Sequence, residues 1–97
     1  MPPPRLDFSA KARKDLLRIA AYIAKHASPE VASRFVFGLE EQCHRLLMAP
    51  GMGTPYPGRM GIRKVATGNY KIIYRVIGTT ILVLRIWDGR RGSEPRL

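Results

Sequence analysis

Residues 62–91 read IRKVATGNYKIIYRVIGTTILVLRIWDGRR, and this stretch decides the fold. It contains three runs rich in aliphatic and aromatic residues, a composition typical of strands. The runs cover Ile62–Ala66, Tyr70–Ile77 and Ile81–Asp88. The connections between them, Thr67–Asn69 and Gly78–Thr80, are short and contain glycine. Short glycine-containing connections favour hairpins, so the stretch predicts three antiparallel strands in chain order.

The residues before this stretch predict two helices. Apolar residues recur at three- and four-residue steps from Ala10 to about His26, and again from Pro29 to the Pro50-Gly51 pair. Ser9 and Ser28 precede these patterns, and a serine hydroxyl can accept a backbone N–H at a helix start. Because the joint between the two patterns is very short, we expect an antiparallel helical hairpin.

The remaining segments complete a single domain over residues 1–97. Leu6–Phe8 alternates apolar and polar residues and predicts a short first strand. Residues 50–61, PGMGTPYPGRMG, hold too much proline and glycine for regular structure and predict a loop. The predicted order is β-α-α-β-β-β. This order indicates an α+β fold in which the helical hairpin packs on one face of a small, mostly antiparallel sheet.

Alternation along the strands predicts which sheet face carries the charge. One face of the middle strand is wholly apolar, and we expect it to meet the helices, because burying unpaired cations is costly. The opposite face carries Lys71, Ile73 and Arg75. The same alternation places Leu82, Leu84 and Ile86 of the last strand against the helices. It leaves the following side chains on the sheet face that the helices do not cover: Lys64, Lys71, Arg75, Val83, Arg85 and Trp87.

The charge of the chain favours an anionic partner. It has 17 Lys and Arg against 7 Asp and Glu, a net charge of +10. Nine of the basic residues and two of the acidic ones lie in residues 59–97. A solvent-exposed sheet face could explain this excess of basic residues, but such a face normally carries both positive and negative residues. Exposed Ile73, Val83 and Trp87 would also leave an apolar patch that needs a partner. We therefore expect a nucleic acid, an acidic protein segment or a membrane surface to be the kind of partner.

Several features favour a cytoplasmic protein without a cofactor. Cys43 is the single cysteine, so no intramolecular disulfide can form, and its place in an apolar stripe predicts core packing. No apolar run approaches the roughly 18–20 residues of a membrane span, and no apolar stretch after MPPPR suggests a signal peptide. No His, Cys, Asp and Glu set has metal-ligand spacing, and the glycines show no phosphate-loop pattern.

The stretch quoted above resembles the C-terminal half of the RelE/ParE toxin superfamily. The matching features are a basic strand, a glycine-containing turn, an aliphatic-Tyr-Arg-Val strand and a last strand that ends in Gly-Arg-Arg. Residues 12–35, ARKDLLRIAAYIAKHASPEVASRF, resemble the helical hairpin of the ParE-like branch. The resemblance implies a toxin of a type II toxin–antitoxin pair. Such a toxin is neutralised by a cognate antitoxin, in a toxin–antitoxin hetero-oligomer.

The resemblance leaves two targets open, because RelE-like members cleave mRNA in the ribosome and ParE-like members poison DNA gyrase. Basic positions of the nuclease branch are matched by Lys64, Lys71 and Arg91. That branch also has a tyrosine near the C-terminus, and some members have a histidine or carboxylate group, whereas this sequence has no Tyr or His after Tyr74. Arginine stays protonated and cannot take a proton. Asp88 could act as a base, although pairing with an arginine or capping the turn suits it better.

We therefore expect a gyrase-binding toxin without catalytic residues, with a ribosome-dependent mRNA endonuclease as the alternative. A simple nucleic-acid-binding module ranks third, since no recognised motif supports it. The basic segment after the last strand, residues 90–97, is interpreted as a loose extension that binds a partner. Removing it should therefore abolish toxicity and leave the fold intact. The predicted target- and partner-binding residues are Lys64, Lys71, Arg75, Arg85, Trp87, Asp88, Arg90, Arg91 and Arg96.

Overall fold

The computed structural model describes residues 2–97 and has the predicted element order with one addition. Its elements are β1 (Arg5–Phe8), α1 (Ala10–His26), α2 (Pro29–Arg45), β2 (Thr54–Pro55), β3 (Ile62–Thr67), β4 (Tyr70–Ile77) and β5 (Thr80–Asp88). The addition is β2, a two-residue strand inside the segment predicted to be a loop. The sheet order is β1-β5-β4-β3-β2, with β1 parallel to β5 and the other neighbours antiparallel. The predicted α+β fold is confirmed.

Both predicted helix caps form. The Ser9 hydroxyl accepts the Ala12 N–H at 3.0 Å, and the Ser28 hydroxyl accepts the Val31 N–H at 3.1 Å. Ser9 also donates its hydroxyl proton to the carbonyl oxygen of Leu84 at 2.8 Å. The cap therefore satisfies an orphan donor of α1 and also ties the start of α1 to β5. No helix within residues 2–97 is both long and apolar enough to cross a membrane.

The main core lies between the helical hairpin and one face of the sheet. Cys43 belongs to it, as predicted, and burial together with the nearby Glu40 carboxylate raises the pKa of its thiol to about 12. A thiol that stays protonated at neutral pH is a poor nucleophile, so Cys43 serves packing. The buried residues of this core are Ala12, Ile19, Leu39, Cys43, Leu46, Ile72, Tyr74, Ile81, Val83 and Ile86.

The alternation predicted for the last strand is wrong, because β5 contains a bulge. Ile73 pairs with Arg85, but the next residue, Tyr74, pairs with Val83, so Leu84 is an extra residue. A bulge shifts the alternation of a strand by one residue. Val83 therefore faces the helices, and Leu84 packs with Ile73 on the opposite side of the sheet.

The bulge also changes the rest of β5. Ile81 lies in the helix-side core, and Leu82 pairs with Arg75, a residue of the opposite face. Among the three residues predicted to face the helices, Ile86 alone does so. The sheet face that carries the basic residues therefore gains leucines and loses Val83, which alters its predicted surface.

The segment between α2 and β3 is anchored to the sheet by two side chains. The Tyr74 hydroxyl accepts the Gly53 N–H at 3.1 Å and donates to the Pro50 carbonyl at 2.7 Å. The Arg63 guanidinium donates to the carbonyl oxygens of Gly53 at 2.6 Å and of Gly51 at 3.2 Å. The proline- and glycine-rich segment is therefore held in one conformation, and its next residues reach the sheet face away from the helices.

We expect Gly53→Ala to lower the free energy of unfolding by about 1–3 kcal/mol, because the new methyl group would overpack a closed site. Its Cβ would clash with the Lys64 carbonyl and lie 2.9 Å from the Tyr74 hydroxyl oxygen. The control is Gly51→Ala, whose Cβ would have no atom within 4 Å. Urea unfolding followed by circular dichroism measures both. Equal losses in the two variants would contradict the expectation.

Candidate partner-binding face

The sheet face away from the helices, here called the open face, carries three of the predicted basic residues. Lys64 pairs across the strands with Ile73, Arg75 with Ile62, and Lys71 with Ala66. Ile62 and Ile73 belong to an apolar cluster separate from the helix-side core. Since paired residues share a face, Lys64, Lys71 and Arg75 lie on the open face, as predicted.

The open face is covered by the chain itself, contrary to expectation. Its apolar cluster consists of Tyr56, Ile62 and Ile73, with Leu84 and Leu97 packed against it. Ile73 is fully buried, so the exposed patch predicted from Ile73 and Val83 is wrong. The physical reason is that the loop before β3 and the end of the chain both fold over this face.

Residues 93–97, here called the tail, are held by backbone contacts. The Trp87 indole N–H donates to the Ser93 carbonyl at 2.8 Å, and the Arg85 guanidinium donates to the Arg96 carbonyl at 2.6 Å. Pro95 is buried. The tail is therefore folded, and the interpretation of a loose basic extension is wrong. The contact described for Arg96 is made by its backbone carbonyl, while the residue is exposed.

A carboxylate of the tail sits among the basic residues of the open face. Glu94 accepts a hydrogen bond from the Tyr56 hydroxyl at 2.9 Å and from the Lys71 amine at 3.4 Å. The Lys64 amine lies 6.0 Å from the centroid of the Tyr56 ring. The Tyr56 hydrogen bond lowers the pKa of Glu94, and the Lys71 and Lys64 charges lower it further, against a smaller effect of burial. Glu94 is therefore ionised at neutral pH.

Tyr56 was not predicted to belong to the site. Burial and the Glu94 carboxylate raise the pKa of its phenol, so it stays protonated at neutral pH. Its one signal in the sequence is an aromatic residue between two prolines in a segment otherwise made of turns. That signal does not say which sheet face the segment will reach, and the anchoring by Tyr74 and Arg63 decides this.

Arg85 is not a free surface residue, and its predicted exposure on the open face is wrong. Its guanidinium donates to both carboxylate oxygens of Asp15 in α1, at 2.8 and 2.9 Å. The side chains are 11% exposed for Arg85 and 1% exposed for Asp15. The pair forms because β1 covers the edge of β5 as far as Val83, which leaves the rest of that edge to α1.

Asp15 is the most completely buried charged residue of the described chain, and sequence reasoning missed it. Its carboxylate also accepts the Ile86 N–H at 3.0 Å and pairs with Arg18. Burial raises the pKa of Asp15, but Arg85, the Ile86 N–H and the Arg18 charge together lower it below its ordinary value. The overlooked signal is position: Asp15 stands between Ala12 and Ile19 on the apolar stripe of α1.

Asp88 caps the turn that follows β5. It accepts the Arg90 backbone N–H at 2.9 Å and the Arg90 guanidinium at 3.0 and 2.9 Å. The Arg90 hydrogen bonds, with the charges of Arg90 and Arg91, lower the pKa of Asp88 to about 2. A carboxylate with so low a pKa is a weak base at neutral pH. The geometry therefore matches the predicted turn cap and arginine partner of Asp88.

Arg90 and Arg91 lie beside Trp87 at a groove of about 350 Å³ between α1 and the end of β5. The Arg91 guanidinium stands 4.6 Å from the centroid of the Trp87 ring, and that of Arg85 stands 5.1 Å away. Both Arg90 and Arg91 are exposed. This groove, here called the tryptophan groove, is lined by Arg18, Ile19, Tyr22, Tyr70, Ile86, Trp87, Asp88, Arg90 and Arg91.

A helical hairpin packed on a five-stranded, mostly antiparallel sheet is the fold of the RelE/ParE superfamily of toxins. The family described as ParE toxin of type II toxin-antitoxin system, parDE, matches residues 6–92. The chain belongs to this family. It is 31% identical over 84 residues to toxin ParE3 of Caulobacter vibrioides, covering 86% of this chain and 84% of that toxin.

Solved structures show the same fold. The chromosomal ParDE system of P. aeruginosa matches with a TM-score of 0.77 and 27% identity, over 89% of this chain and 96% of that one. The RelBE2 complex of Mycobacterium tuberculosis matches with a TM-score of 0.67 and 24% identity, over 90% and 99% of the chains. The isolated E. coli RelE toxin matches with a TM-score of 0.62 and 17% identity, over 92% and 87%. The last two likenesses concern the fold alone.

Proposed function

We propose that this ParE-family toxin arrests growth in the cytoplasm by binding a protein target, DNA gyrase. The observation that carries the proposal is that the carboxylates beside the basic residues are hydrogen-bonded and are therefore weak bases. Asp88 is held by Arg90 and Glu94 by Tyr56 and Lys71, and both carboxyls have a lowered pKa. RNA cleavage by a 2′-hydroxyl needs a group that accepts a proton, and these paired carboxylates suit that task poorly.

The tryptophan groove supports binding rather than chemistry. Trp and Arg are among the residues that most often dominate the binding energy of protein interfaces, and the guanidinium groups of Arg85 and Arg91 both lie close to the Trp87 ring. The Trp87 ring is held by the hydrogen bond that its indole N–H donates to the Ser93 carbonyl, while Arg90 and Arg91 are exposed. A rigid aromatic ring with exposed arginines is suited to binding an acidic surface of a large protein.

The test is a supercoiling assay with purified toxin and gyrase. We expect inhibition of supercoiling or accumulation of cleaved DNA as toxin is added, and no change when the cognate antitoxin is present in excess. A gyrase that is unaffected at every toxin concentration, together with arrested translation, would overturn the proposal.

The alternative, a ribosome-dependent mRNA endonuclease, gains one observation from the structure. On the open face the Lys64 amine lies 6.0 Å from the centroid of the Tyr56 ring, and the Tyr56 phenol and the Lys71 amine both donate to Glu94, where no tyrosine had been expected. A protonated phenol can donate a proton, and lysines can stabilise a phosphate charge. Primer extension on cellular transcripts after induction decides between the functions. New 5′ ends that vanish in Tyr56→Phe would favour the nuclease, and intact transcripts during arrest would exclude it.

We further propose that a cognate antitoxin binds this chain in a toxin–antitoxin hetero-oligomer. Family membership supports this, as does the net charge of +10, which favours an acidic partner. Co-expression with any small open reading frame that adjoins the toxin gene tests it. We expect the two products to purify together and growth to resume; continued arrest without a complex would count against it.

A further inference from the structure

A second groove lies next to the tryptophan groove and shares Tyr22, Tyr70 and Arg90 with it. It has a volume of about 560 Å³ and lies between the end of α1, the middle of α2 and the turn that joins β3 to β4. We propose that this groove, here called the turn groove, binds a nucleotide, that is, an aromatic base that carries a phosphate. The inference goes beyond the proposed function, because it holds whichever target the toxin attacks.

Three aromatic rings line the turn groove, and a neighbouring ring packs against each of them. Phe35 and Tyr70 meet edge to face with their ring centroids 5.5 Å apart, and the centroid of the Tyr22 ring lies 4.3 Å from that of His26. Tyr22 is 62% exposed and Phe35 is 38% exposed. Because nucleic-acid bases stack on aromatic side chains, these oriented and accessible rings offer a base a surface to stack on.

Two arginines supply positive charge at the turn groove, and no Asp or Glu among residues 2–97 lines it. Arg34 and Arg90 are both exposed. Arg90 binds Asp88 through Nε and Nη2, whereas Arg34 forms no ion pair within the part of the chain that the structure describes. A guanidinium can bind a phosphate through two parallel hydrogen bonds, so Arg34 is suited to hold the phosphate of a nucleotide.

The remaining polar groups of the turn groove match the edge of a base. Gln42 and Asn69 line it, and each side-chain amide offers both a hydrogen-bond donor and an acceptor. Burial and the Asp88 carboxylate raise the pKa of Tyr70, so its hydroxyl stays protonated and can donate as well. A nucleotide uses the rings, the arginines and the amides together, which is why the structure favours it over an acidic peptide.

A glycine leaves the turn groove open where the fold does not need one. Gly38 lies in the interior of α2, where glycine destabilises a helix relative to alanine. A Cβ at this position would meet no atom within 4 Å, and Gly38 is not among the glycines with a positive φ. Neither packing nor backbone conformation therefore requires glycine here. A side chain at this position would fill space in the groove, so its absence leaves room for a ligand.

The experiment is equilibrium dialysis of the full-length toxin against radiolabelled adenosine 5′-monophosphate and guanosine 5′-monophosphate. We expect saturable binding of at least one of them. The corresponding nucleoside should bind at least about tenfold more weakly, because it lacks the phosphate that hydrogen-bonds to the arginines. A tetraglutamate peptide, which tests charge without a base, should also bind at least about tenfold more weakly, because it cannot stack on the rings.

Three variants test the site, and circular dichroism checks that each is folded. Gly38→Leu should weaken nucleotide binding at least about tenfold without lowering the melting temperature, since leucine is the better helix former. Arg34→Gln should weaken it about tenfold, whereas Arg45→Gln, about 16 Å further along the same helix, should not. Phe35→Leu should weaken it about tenfold by removing the flat ring, whereas Phe37→Leu, at an exposed phenylalanine of α2 outside the groove, should not.

A strand of DNA or RNA could supply the same chemistry as a free nucleotide, so one arm of the experiment uses 5′-phosphorylated tetradeoxyadenylate. Tighter binding of this strand would identify a strand end as the ligand, and tighter binding of a mononucleotide would identify a free nucleotide; both agree with the proposal. Nucleotides that bind no better than their nucleosides or tetraglutamate would overturn it. Unchanged nucleotide affinity in both Gly38→Leu and Arg34→Gln would also overturn it. Gyrase activity does not enter this experiment, so its result is independent of the proposed target.

Discussion

Asp15→Ala is expected to lower the free energy of unfolding by about 3–5 kcal/mol, because removing one partner of a buried ion pair leaves the other without compensation. Arg85 would keep its buried guanidinium and the Ile86 N–H would lose its acceptor. This is a large fraction of the stability of a domain this size. Urea unfolding followed by circular dichroism measures the loss.

The control for this variant is Asp7→Ala, which breaks an ion pair with Arg5 at the surface. The Arg5 and Asp7 side chains are 72% and 39% exposed, so we expect a loss below about 1 kcal/mol. Replacing Asp15 with leucine and Arg85 with methionine together should recover part of the stability, since both buried charges then disappear. A loss below about 1 kcal/mol for Asp15→Ala would show that the pair is not structural.

The same pair makes stability depend on pH in a defined direction. Because the pKa of Asp15 is lower in the folded protein than its ordinary value of 3.8, its contribution is present above pH 4. It is lost as the pH falls through the lowered folded value. Unfolding measured between pH 2 and 5 should therefore be less steep in pH for Asp15→Ala than for the unmodified toxin.

Replacing Arg90 and Arg91 together with alanine is expected to abolish growth inhibition and to weaken target binding by about 100-fold or more. The reason is that arginines at the centre of an interface commonly contribute about 2 kcal/mol or more each. Both are exposed, so the fold should survive, although Asp88 loses its guanidinium partner. Colony counts after induction and the gyrase assay measure the effect.

The control for charge is the pair Lys11→Ala and Lys14→Ala, which removes two positive charges from α1 and should leave toxicity unchanged. A double arginine variant that kills as well as the unmodified toxin would exclude the tryptophan groove from target binding. This variant isolates the arginines in a way that removing residues 90–97 cannot. That truncation also uncovers the apolar cluster packed by Leu97, so the expectation that it leaves the fold intact no longer holds.

Local sequence signals predicted most of the fold. Serine caps and the periodicity of apolar residues located both helices, and β4 lies where its composition and flanking turns placed it. The face assignments of β5 were wrong because residues 81–84 read Ile-Leu-Val-Leu, and no polar residue among them indicates which side of the strand faces away from the helices. A bulge within a wholly apolar run leaves no trace in the alternation pattern.

The candidate site was predicted less completely, because its decisive contacts join distant parts of the chain. Asp15 and Arg85 are 70 positions apart, and Tyr56 and Glu94 are 38 positions apart. An inspection of neighbouring residues places Arg85 and Glu94 on the surface. The folded structure shows instead that Arg85 is paired with the buried Asp15, and that Glu94 accepts hydrogen bonds from Tyr56 and Lys71.

The closure of β5 by α1 has a consequence for the free toxin. Ser9 and Asp15 take up the Leu84 carbonyl and the Ile86 N–H at the edge of β5 that β1 does not reach. The outer strands are short, since β1 has four residues and β2 has two, one of them proline. Short or covered edges limit strand pairing between copies. The toxin without a bound partner should therefore stay dispersed and resist forming β-rich aggregates.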